Sequence, residues 1–319
     1  MAGQVAASEQ TLVVVGREEV ADGVVSLRFE PVTAEPLPDW DPGAHIDLVL
    51  PNGLVRQYSL CGDPRDRRTW RIAVVREPAS RGGSAYVHQR LSPGTRVLTR
   101  GPRNHFRLEP SRRYVFIAGG IGITPLIPMM AAATTAGADW SLLYGGRTAS
   151  SIAFADELRA RYGDRVDVRP QDEHGLLDLP AAIGTPLPDT KIYCCGPAPL
   201  LDAVTGLATT WPADALHLER FTALPRDDTR NTAFTVRLAR SGLTVQVDAG
   251  TSVLDALADA GVAVLSSCED GVCGTCITPV LGGTPDHRDS VLSAAERASG
   301  TCMTICVSRT TDPALVLDL

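Results

Sequence analysis

The run Cys268–Cys276 places three thiols close together in the chain. Their spacing is C-x₄-C-x₂-C, and the loop between them contains Gly271 and Gly274. Thiolates are soft ligands that suit iron–sulfur clusters, and this spacing is the first part of the plant-type [2Fe–2S] pattern. The glycines allow a positive φ, so the backbone can approach a cluster and turn N–H groups toward its sulfurs. The sequence therefore predicts three cluster ligands: Cys268, Cys273 and Cys276.

The fourth ligand must come from a later part of the chain, which offers Cys302 and Cys306. A zinc site and a disulfide are the two other uses of clustered cysteines. Zinc sites usually repeat a C-x₂₋₄-C pair, and the second pair is missing here. Disulfides suit small secreted chains, and nothing at this N-terminus resembles a secretion signal. An iron–sulfur cluster is the favoured interpretation.

The composition limits the classes of protein to which the chain can belong. A length of 319 residues predicts two or three domains, and no apolar run is long enough to span a bilayer. The net charge of −7 argues against nucleic-acid binding. The eight cysteines favour a reducing cytoplasm. From Thr232 on, ten acidic and five basic residues give a net charge of −5, which either attracts a basic redox partner or is an ordinary solvated surface.

Two regions with different sequence patterns precede the cysteine loop. From Thr11 to about Pro102, short alternating patterns are punctuated by Pro-Gly, Asn-Gly and Asp-Pro, which predicts an antiparallel β-barrel after a loose lead-in over residues 1–10. One helix is expected from Ser84 to Leu91. From Arg113, strand patterns alternate with helix patterns, which predicts a doubly wound parallel sheet.

The last region combines a hairpin, a helix and the cysteine loop. Two alternating strand patterns meet at Ser241-Gly242, and Ser252 is expected to cap a helix that runs through Ala260. A polar, proline-containing segment before this region has the composition of a linker. The predicted domains are residues 1–108, 109–222 and 233–319, with the linker at 223–232.

Two clusters in the predicted barrel have residue types that bind phosphate. Arg56-Gln57-Tyr58-Ser59 lies on one strand pattern, and Arg81-Gly82-Gly83-Ser84 begins the predicted helix. A helix N-terminus offers free N–H groups to an anion, and Arg56 adds a fork-shaped cation. Tyr58 is flat enough to lie against a ring. Each cluster alone is equally typical of an amphipathic strand or a helix cap.

A second glycine motif, Gly119-Gly120-Ile121-Gly122, stands between a predicted strand and a predicted helix. Its spacing differs from G-x-G-x-x-G, so on its own it is a weak dinucleotide signal. Its position strengthens it, because a pyrophosphate there would meet the free N–H groups of the helix. Cys194-Cys195-Gly196-Pro197 ends another strand at the same carboxyl edge, where open α/β sheets bind ligands.

Taken in order, these motifs resemble the phthalate dioxygenase reductase family, which includes vanillate demethylase reductases. The resemblance is most specific at Cys306, which is followed by Val-Ser-Arg and lies 30 positions after Cys276, as the last ligand of the family does. It implies Cys306 as the fourth ligand and Cys302 as a neighbouring buried thiol. It also implies a multidomain fold: a β-barrel flavin domain, a doubly wound α/β NAD domain and an α+β, β-grasp-like ferredoxin domain.

For the flavin, the resemblance implies FMN rather than FAD, because the compact Gly-Gly-Ser form goes with FMN. It gives Arg56 the flavin phosphate, Tyr58 the ring and Ser59 the neighbourhood of flavin N5. The remaining implied flavin contacts are Gly82, Gly83 and Ser84 at the phosphate, and Ala73, Val74 and Val75 along the ring edge.

For the nucleotide, the resemblance implies NADH at the carboxyl edge of the parallel sheet. Thr124 and Cys195 would lie near the nicotinamide, so Cys195 and Ser59 are the expected catalytic residues. Gly145-Gly146-Arg147 would approach the adenosine end, although Arg147 is also suited to a 2′-phosphate. Phe221 would fold back over the flavin or else close the core. The implied contacts of the two loops are Gly119, Gly120, Gly122, Gly196 and Pro197.

The implied chemistry is electron transfer from NADH to FMN, then to a [2Fe–2S] cluster and on to an external protein. The resemblance thus implies the reductase component of a two-component system, whose usual acceptor is a Rieske-type aromatic-ring oxygenase or O-demethylase. A cytochrome P450 is the alternative acceptor. A redox-sensing interaction protein is an alternative of another class. The expected state is a cytoplasmic monomer.

Overall fold

The computed structural model describes residues 9–78 and 82–319 of the chain. The chain divides into two compact units, Met1–Glu219 and Arg220–Leu319. The first unit contains an antiparallel sheet and a parallel sheet, and the second contains a smaller mixed sheet. No helix in the described part of the chain is long and apolar enough to cross a bilayer.

The antiparallel sheet of the first unit has the strand order β4-β3-β6-β1-β2-β5 over the described residues. The strands at its two ends, β4 and β5, also contact each other, so the sheet closes on itself as a barrel. Helix α1 (Gly83–Arg90) lies between β5 and β6 in the chain. The strands are β1 (Glu9–Ala21), β2 (Val24–Pro31), β3 (His45–Val49), β4 (Val55–Ser59), β5 (Trp70–Val75) and β6 (Arg96–Arg103).

Alternation along the strands gives the barrel its core. In β2 the side chains of Leu27 and Phe29 are fully buried, while those of Arg28 and Glu30 between and after them are exposed. Trp70 of β5 joins the same cluster. The first described residue, Glu9, already belongs to β1, so the prediction of a loose lead-in through residue 10 is wrong for its last two residues. They pair with Thr99 and Arg100 of β6.

The parallel sheet of the first unit has the order β11-β10-β7-β8-β9. Its strands are β7 (Arg113–Gly119), β8 (Asp139–Gly146), β9 (Val166–Pro170), β10 (Thr190–Cys195) and β11 (Leu216–Glu219). Its helices are α2 (Ile123–Thr135), α3 (Ala155–Tyr162), α4 (Gln171–His174), α5 (Leu179–Ile183) and α6 (Ala198–Leu207).

The central strand β7 explains why this sheet is doubly wound. Phe116 and Ala118 enter the apolar cluster on one face, whereas Val115 and Ile117 enter the cluster on the other. A strand buried on both faces carries a nearly continuous apolar run. The strand order reverses between β7 and β10, and such a switch point leaves a crevice at the carboxyl ends of the strands.

The second unit contains a five-stranded mixed sheet of order β13-β12-β18-β14-β16 and a two-stranded sheet of β15 with β17. Ser252 caps α7 as predicted, since its hydroxyl oxygen accepts the N–H of Asp255 at 3.0 Å. The strands are β12 (Phe234–Leu238), β13 (Thr244–Val247), β14 (Ile277–Gly282), β15 (Pro285–Asp286), β16 (Cys302–Thr304), β17 (Arg309–Thr310) and β18 (Ala314–Leu317), and the helices are α7 (Val253–Asp259) and α8 (Ala294–Ser299).

Part of the predicted linker is held on the second unit. Asp228–Arg230 forms a 3₁₀ turn. The guanidinium of Arg288 donates to Asn231 Oδ1 at 2.8 Å and to Asp228 Oδ1 at 3.2 Å. The predicted fold class is confirmed for all three parts, whereas the exact domain limits at 108, 222 and 232 stay predictions.

Candidate functional site

The ends of β7 and β10 pack so closely that only glycine fits between them. A Cβ atom on Gly122 would lie 2.2 Å from the carbonyl oxygen of Cys195, and one on Gly119 would lie 2.7 Å from Cδ of Pro197. Gly196 has its own would-be Cβ 3.0 Å from the Gly119 backbone. The structure therefore brings the two motifs that the sequence singled out, Gly119–Gly122 and Cys195–Pro197, into direct contact at the switch point.

Helix α2 begins in this crevice, directly after the 3₁₀ turn Gly120–Gly122. Its N-cap is Gly122, which offers no side-chain cap. Gly120 has a φ of +54°, and nothing lies within 4 Å of the position a Cβ would take, so there is room beside the loop for a ligand. Thr124 is buried, and its hydroxyl donates to the Ile121 carbonyl at 2.9 Å. These features suit a pyrophosphate at a helix N-terminus.

Cys195 is fully buried at the end of β10, and burial raises the pKa of its thiol well above the usual value. The sequence analysis missed its neighbour Glu219, whose Oε2 lies 4.0 Å from Cys195 Sγ. Although part of the Glu219 side chain reaches solvent, desolvation by the surrounding protein raises the pKa of its carboxyl group to about 8. The parallel register of β10 and β11 pairs the two residues. The sequence carried no motif at Glu219, an acidic residue two positions before Phe221.

The glycines at the end of β8 also have little room. A Cβ atom on Gly146 would lie 2.4 Å from Cγ1 of Ile152, and one on Gly145 would lie 3.0 Å from the side chain of Leu177. The next residue, Arg147, is exposed, and its carbonyl accepts the N–H of Asp172 at 3.1 Å. The loops after β8 and β9 thus meet at the carboxyl edge predicted for the adenosine end.

The predicted phosphate cluster assembles around α1 in the barrel. The side chain of Arg56 lies against Gly83, where a Cβ atom would be 2.6 Å from Arg56 Nε. Gly82, with a φ of +89°, is the N-cap of α1 and lines a surface cleft of about 500 Å³ with Arg76, Glu77, Pro78 and Ala85. The hydroxyl oxygen of Ser84 accepts the N–H of Glu77 at 3.1 Å. Arg81 lies outside the described residues.

The predicted ring contacts lie on two strands that contact each other. Tyr58 and Ser59 are in β4, and Ala73, Val74 and Val75 are in β5. Burial raises the pKa of the Tyr58 phenol to about 12, opposed by the charge of Arg56. Ser59, Ala73 and Val74 are buried, whereas Val75 is partly exposed. An apolar wall beside a cation and a helix N-terminus suits a flavin phosphate with its ring.

The four predicted cluster ligands form two contacting pairs in the second unit. The Cys273 thiol donates a hydrogen bond to Cys268, which lowers the pKa of the Cys268 thiol to about 6 and raises that of Cys273. The same relation holds between Cys306 as donor and Cys276 as acceptor, which lowers the pKa of Cys276 and raises that of Cys306.

Backbone donors surround these sulfurs. The N–H of Asp270 lies 3.4 Å from Cys268 Sγ, and the N–H groups of Val272 and Cys273 point to the same sulfur. The N–H of Gly271 is directed at Cys306 Sγ, and the N–H of Cys306 at Cys276 Sγ. Such donors stabilise the negative charge on cluster sulfurs. The residues present therefore fit a two-iron cluster with two thiolates on each iron.

The glycines of this loop have the backbone geometry that the sequence predicted. Gly271 has a φ of +73° and Gly274 a φ of +71°. Gly271 is also short of space, because a Cβ atom there would lie 2.7 Å from Cγ2 of Val307 and 3.1 Å from Cα of Asp289. Its carbonyl accepts the N–H of Ser290 at 2.9 Å, which fastens the loop to the next segment.

Across residues 9–78 and 82–319, all eight cysteines are free thiols, and no three His, Cys, Asp or Glu side chains converge on a point that would hold a single ion. Cys302, in β16, is partly exposed rather than buried as expected. Burial and the charges of Glu296 and Asp289 raise the pKa of its thiol.

Phe221, the aromatic residue expected near the flavin, belongs to the second unit, and 41% of it is exposed.

Comparison with known families and proteins finds the same modules. Residues 116–206 match the oxidoreductase NAD-binding domain, and residues 236–311 match the 2Fe-2S iron-sulfur cluster binding domain. The chain is 46% identical over 301 residues to the phenoxybenzoate dioxygenase subunit beta of Ectopseudomonas oleovorans, covering 94% of each chain. It is 38% identical over 314 residues to the phthalate dioxygenase reductase of Burkholderia cepacia, covering 97% of each.

A solved structure of a larger protein is also similar. An intact type IV self-sufficient cytochrome P450 monooxygenase is 44% identical in the matched part, with a TM-score of 0.93. The match covers 98% of this chain and 41% of that protein.

Proposed function

The chain belongs to the family of phthalate dioxygenase reductases, and from that premise we propose that it is the reductase component of a two-component oxygenase system. It is an NAD(P)H-dependent flavin and iron–sulfur oxidoreductase with FMN and a [2Fe–2S] cluster as its cofactors. The proposal rests on one observation. The same chain contains a loop whose cysteine sulfurs form two contacting pairs and a switch point between β7 and β10 where only glycine fits. One part suits single electrons and the other suits a dinucleotide.

The bound groups convert a hydride from NADH, through the flavin, into single electrons that leave by the cluster. The residues of the chain hold these groups and exclude water. We assign the FMN phosphate to Arg56, whose side chain lies on Gly83 beside Gly82 and Ser84. We assign the ring to Tyr58, Ser59 and the strand segment Ala73–Val75.

At the switch point the chain's own residues would hold the nucleotide. The loop Gly119–Gly122 and the start of α2 present backbone N–H groups to the pyrophosphate, and Gly196 and Pro197 complete the wall. Thr124 stiffens the loop through its bond to Ile121. Cys195 presents a buried neutral thiol beside the nicotinamide, and Glu219 keeps that thiol in a fixed position.

We propose NADH rather than NADPH as the electron donor. Arg147 offers one positive charge at the adenosine end, but the first turn of α4 places Asp172 and Glu173 at the neighbouring strand end. Acidic side chains at this strand end accept a hydrogen bond from a ribose 2′-hydroxyl and repel a 2′-phosphate. A higher kcat/KM for NADH than for NADPH is expected. Equal values would reverse this proposal and assign Arg147 to the 2′-phosphate.

We propose the cluster ligands as Cys268, Cys273, Cys276 and Cys306, because these sulfurs form the two contacting pairs. Phe221 stays proposed as the aromatic that covers the flavin. The cluster side also has a suitable surface for a partner: Leu265 and Glu269, on either side of Cys268 in the chain, are exposed. With the net negative charge of this region, that surface would attract a basic acceptor protein.

The acceptor is proposed to be a Rieske-type aromatic-ring oxygenase or O-demethylase. The relatives named above support this choice, since one is a dioxygenase subunit and one is a dioxygenase reductase. A cytochrome P450 is the second candidate, because the self-sufficient P450 carries a similar segment in its own chain. A cytoplasmic location is proposed from the eight cysteines without a disulfide pattern, and a monomer is proposed from the resemblance to the family.

Turnover with NADH tests the proposed function. Purified protein with FMN and reconstituted cluster is expected to reduce cytochrome c rapidly with NADH and to show a reduced-cluster EPR signal. A redox-sensing interaction protein would carry the cofactors but reduce cytochrome c slowly. Protein without bound flavin or acid-labile sulfide after anaerobic reconstitution would end the proposal. Coupled substrate oxidation with purified Rieske oxygenases and P450s then decides between the acceptors.

A further inference from the structure

One arginine of the barrel reaches across to a helix of the parallel sheet within the first unit. Arg71, in β5, places Nη1 3.2 Å from both carboxylate oxygens of Glu157 in α3, and Nη2 3.2 Å from Oε2. Its Nε donates to Ser26 Oγ of β2 at 3.0 Å, which fixes the side chain at its origin. A forked arginine–carboxylate pair defines distance and direction together.

The same guanidinium lies over an aromatic ring at the start of α3. Its central carbon is 4.5 Å from the ring centroid of Phe154, and 5% of Phe154 is exposed. Phe154 has a φ of +62°, in the left-handed region that a residue with a bulky side chain rarely adopts. The residue keeps this conformation because its surroundings hold the ring in place. Arg71 supplies one side of that enclosure.

The residue before Phe154 continues the connection to the dinucleotide loop. The Tyr144 hydroxyl lies 3.1 Å from the carbonyl oxygen of Ala153 and 3.0 Å from that of Gly120. Tyr144 is fully buried, so its one proton is shared by these two carbonyls without competition from water. The Tyr144 hydroxyl therefore links the start of α3 to the loop after β7.

The barrel end of the connection leads to the proposed flavin wall. Ala73 follows Arg71 by two residues on β5 and belongs to the same buried cluster as Ile123, the first residue of α2. Val75 and Ile121 pack against that cluster. A continuous set of contacts thus joins the strand proposed to line the flavin to the loop proposed to bind the nucleotide, and Arg71 is its polar bridge.

We propose that Arg71 is a positioning residue for hydride transfer, which holds the dinucleotide loop at a fixed distance from the flavin wall. The inference rests on the proposed function. Hydride transfer requires the reacting atoms to be about 3–3.5 Å apart, and a displacement of about 1 Å can cost 100-fold in rate. Arg71 lies away from the phosphate cradle at Arg56, so its removal leaves FMN binding intact.

The test compares flavin reduction in rapid-mixing experiments with NADH and with NADH deuterated at the transferred position. Arg71→Ala is expected to lower the rate constant by about 10- to 100-fold and to enlarge the isotope effect, while FMN content and the Kd for NAD⁺ stay as in the wild type. Glu157→Gln should share part of this loss. Arg71→Lys should recover little, because lysine lacks the fork and the planar stacking group.

The matched control is Arg65→Ala, on the same barrel. Arg65 also pairs with a carboxylate, Asp63, at 2.9 Å, but its side chain is 79% exposed and does not reach the parallel sheet. It should leave the rate unchanged. Arg71→Ala with a wild-type rate constant and isotope effect, even at a lower melting temperature, would reduce Arg71 to a purely structural residue. A wild-type protein whose flavin NADH does not reduce would instead overturn the proposed function.

Discussion

The cluster loop and the dinucleotide loop both depend on glycine, but for different physical reasons. In the cluster loop, Gly271 and Gly274 have positive φ values that let N–H groups face the sulfurs. In the dinucleotide loop, Gly119 and Gly122 have ordinary φ values of −122° and −61°, and glycine is needed because the end of β10 leaves no space for a Cβ. The cluster loop thus depends mainly on the conformation of glycine, with its size also needed at Gly271, whereas the dinucleotide loop depends mainly on its size, with its conformation needed at Gly120.

The two loops also differ in what carries the chemistry. The four cysteines proposed for the cluster site would be side-chain ligands, and their residue type predicts that role. At the switch point the donors are backbone N–H groups, which every residue except proline possesses. A side-chain site should therefore fail completely when one ligand is removed. A backbone site should instead fail when packing moves the main chain.

The largest expected effect is loss of the cluster when a ligand is replaced. Cys306→Ser removes one thiolate of the pair with Cys276, so the reduced-state EPR signal should disappear and acid-labile sulfide should fall. Cys302→Ser is the matched control four positions away, and its signal should persist. If the control loses the signal and Cys306→Ser keeps it, the fourth ligand is Cys302.

The second-largest expected effect is a loss of NAD⁺ affinity, and it tests the dinucleotide loop Gly119–Gly122, whose proposed donors are backbone N–H groups. Gly122→Ala places a methyl group 2.2 Å from the Cys195 carbonyl, so the ends of β7 and β10 must separate. Overpacking of this kind costs about 1–3 kcal/mol, and NAD⁺ affinity should fall with it while the cluster signal is kept. Thermal unfolding and a nucleotide titration measure the two losses.

A glycine without near neighbours provides the control. Gly206 lies in α6, and nothing is within 4 Å of its would-be Cβ. Gly206→Ala should raise stability by up to about 1 kcal/mol, because alanine is the better helix former. A Gly122→Ala protein that binds NAD⁺ normally would show that the loop tolerates separation of the two strands.

The difference between the loops explains how far the sequence could predict the site. Cysteine spacing is local, so Cys268, Cys273 and Cys276 could be predicted as ligands from nine consecutive positions. Fold class was equally accessible, since alternation in β2 and the apolar run of β7 depend on neighbours in the chain. Both kinds of signal are contained in a short window.

Contacts between distant parts of the chain were not accessible in this way. Glu219 meets Cys195 only because β10 and β11 are parallel in a particular register. Arg71 meets Glu157 across 86 positions, and neither residue belongs to a motif. Tertiary packing chooses such partners, and no periodicity records the choice. The motifs therefore predicted the ligands, whereas the structure supplied the residues that position them.

The proposed site of the flavin phosphate combines a side-chain donor with backbone donors, because the Arg56 side chain lies against the backbone of Gly83. Arg56→Ala removes the charged donor and leaves the N-terminus of α1 in place. A hydrogen bond to a charged group contributes about 1.5–3 kcal/mol, so FMN should bind roughly 10- to 100-fold more weakly. Gel filtration followed by flavin absorbance measures the loss. Arg100→Ala, on the same barrel and paired with Glu9 at 2.7 Å, should keep its colour. Full FMN retention by Arg56→Ala would remove the phosphate role.

The last expected effect is on the pH dependence of stability, and it concerns Glu219, the side chain that the register of β10 and β11 brings beside Cys195. Its pKa is raised from 4.5 to about 8 in the folded protein. Between these values folding takes up a proton, so the free energy of unfolding should decrease as pH rises from about 4.5 to 8 and stay level above that. Glu219→Gln keeps the shape and removes the titration, so its melting temperature should vary less across this window.

The exposed Glu173, whose side chain is 56% exposed, is the matched control, and Glu173→Gln should follow the wild-type profile. The comparison is made with FMN bound and no nucleotide present, so that a bound nucleotide does not shift the titration of Glu219. Parallel profiles for the wild type and Glu219→Gln would mean that the carboxylate is ionised in the folded protein at neutral pH. Cys195 would then face a negative charge. Packing alone would hold its thiol in position, as packing holds the neighbouring loop Gly119–Gly122.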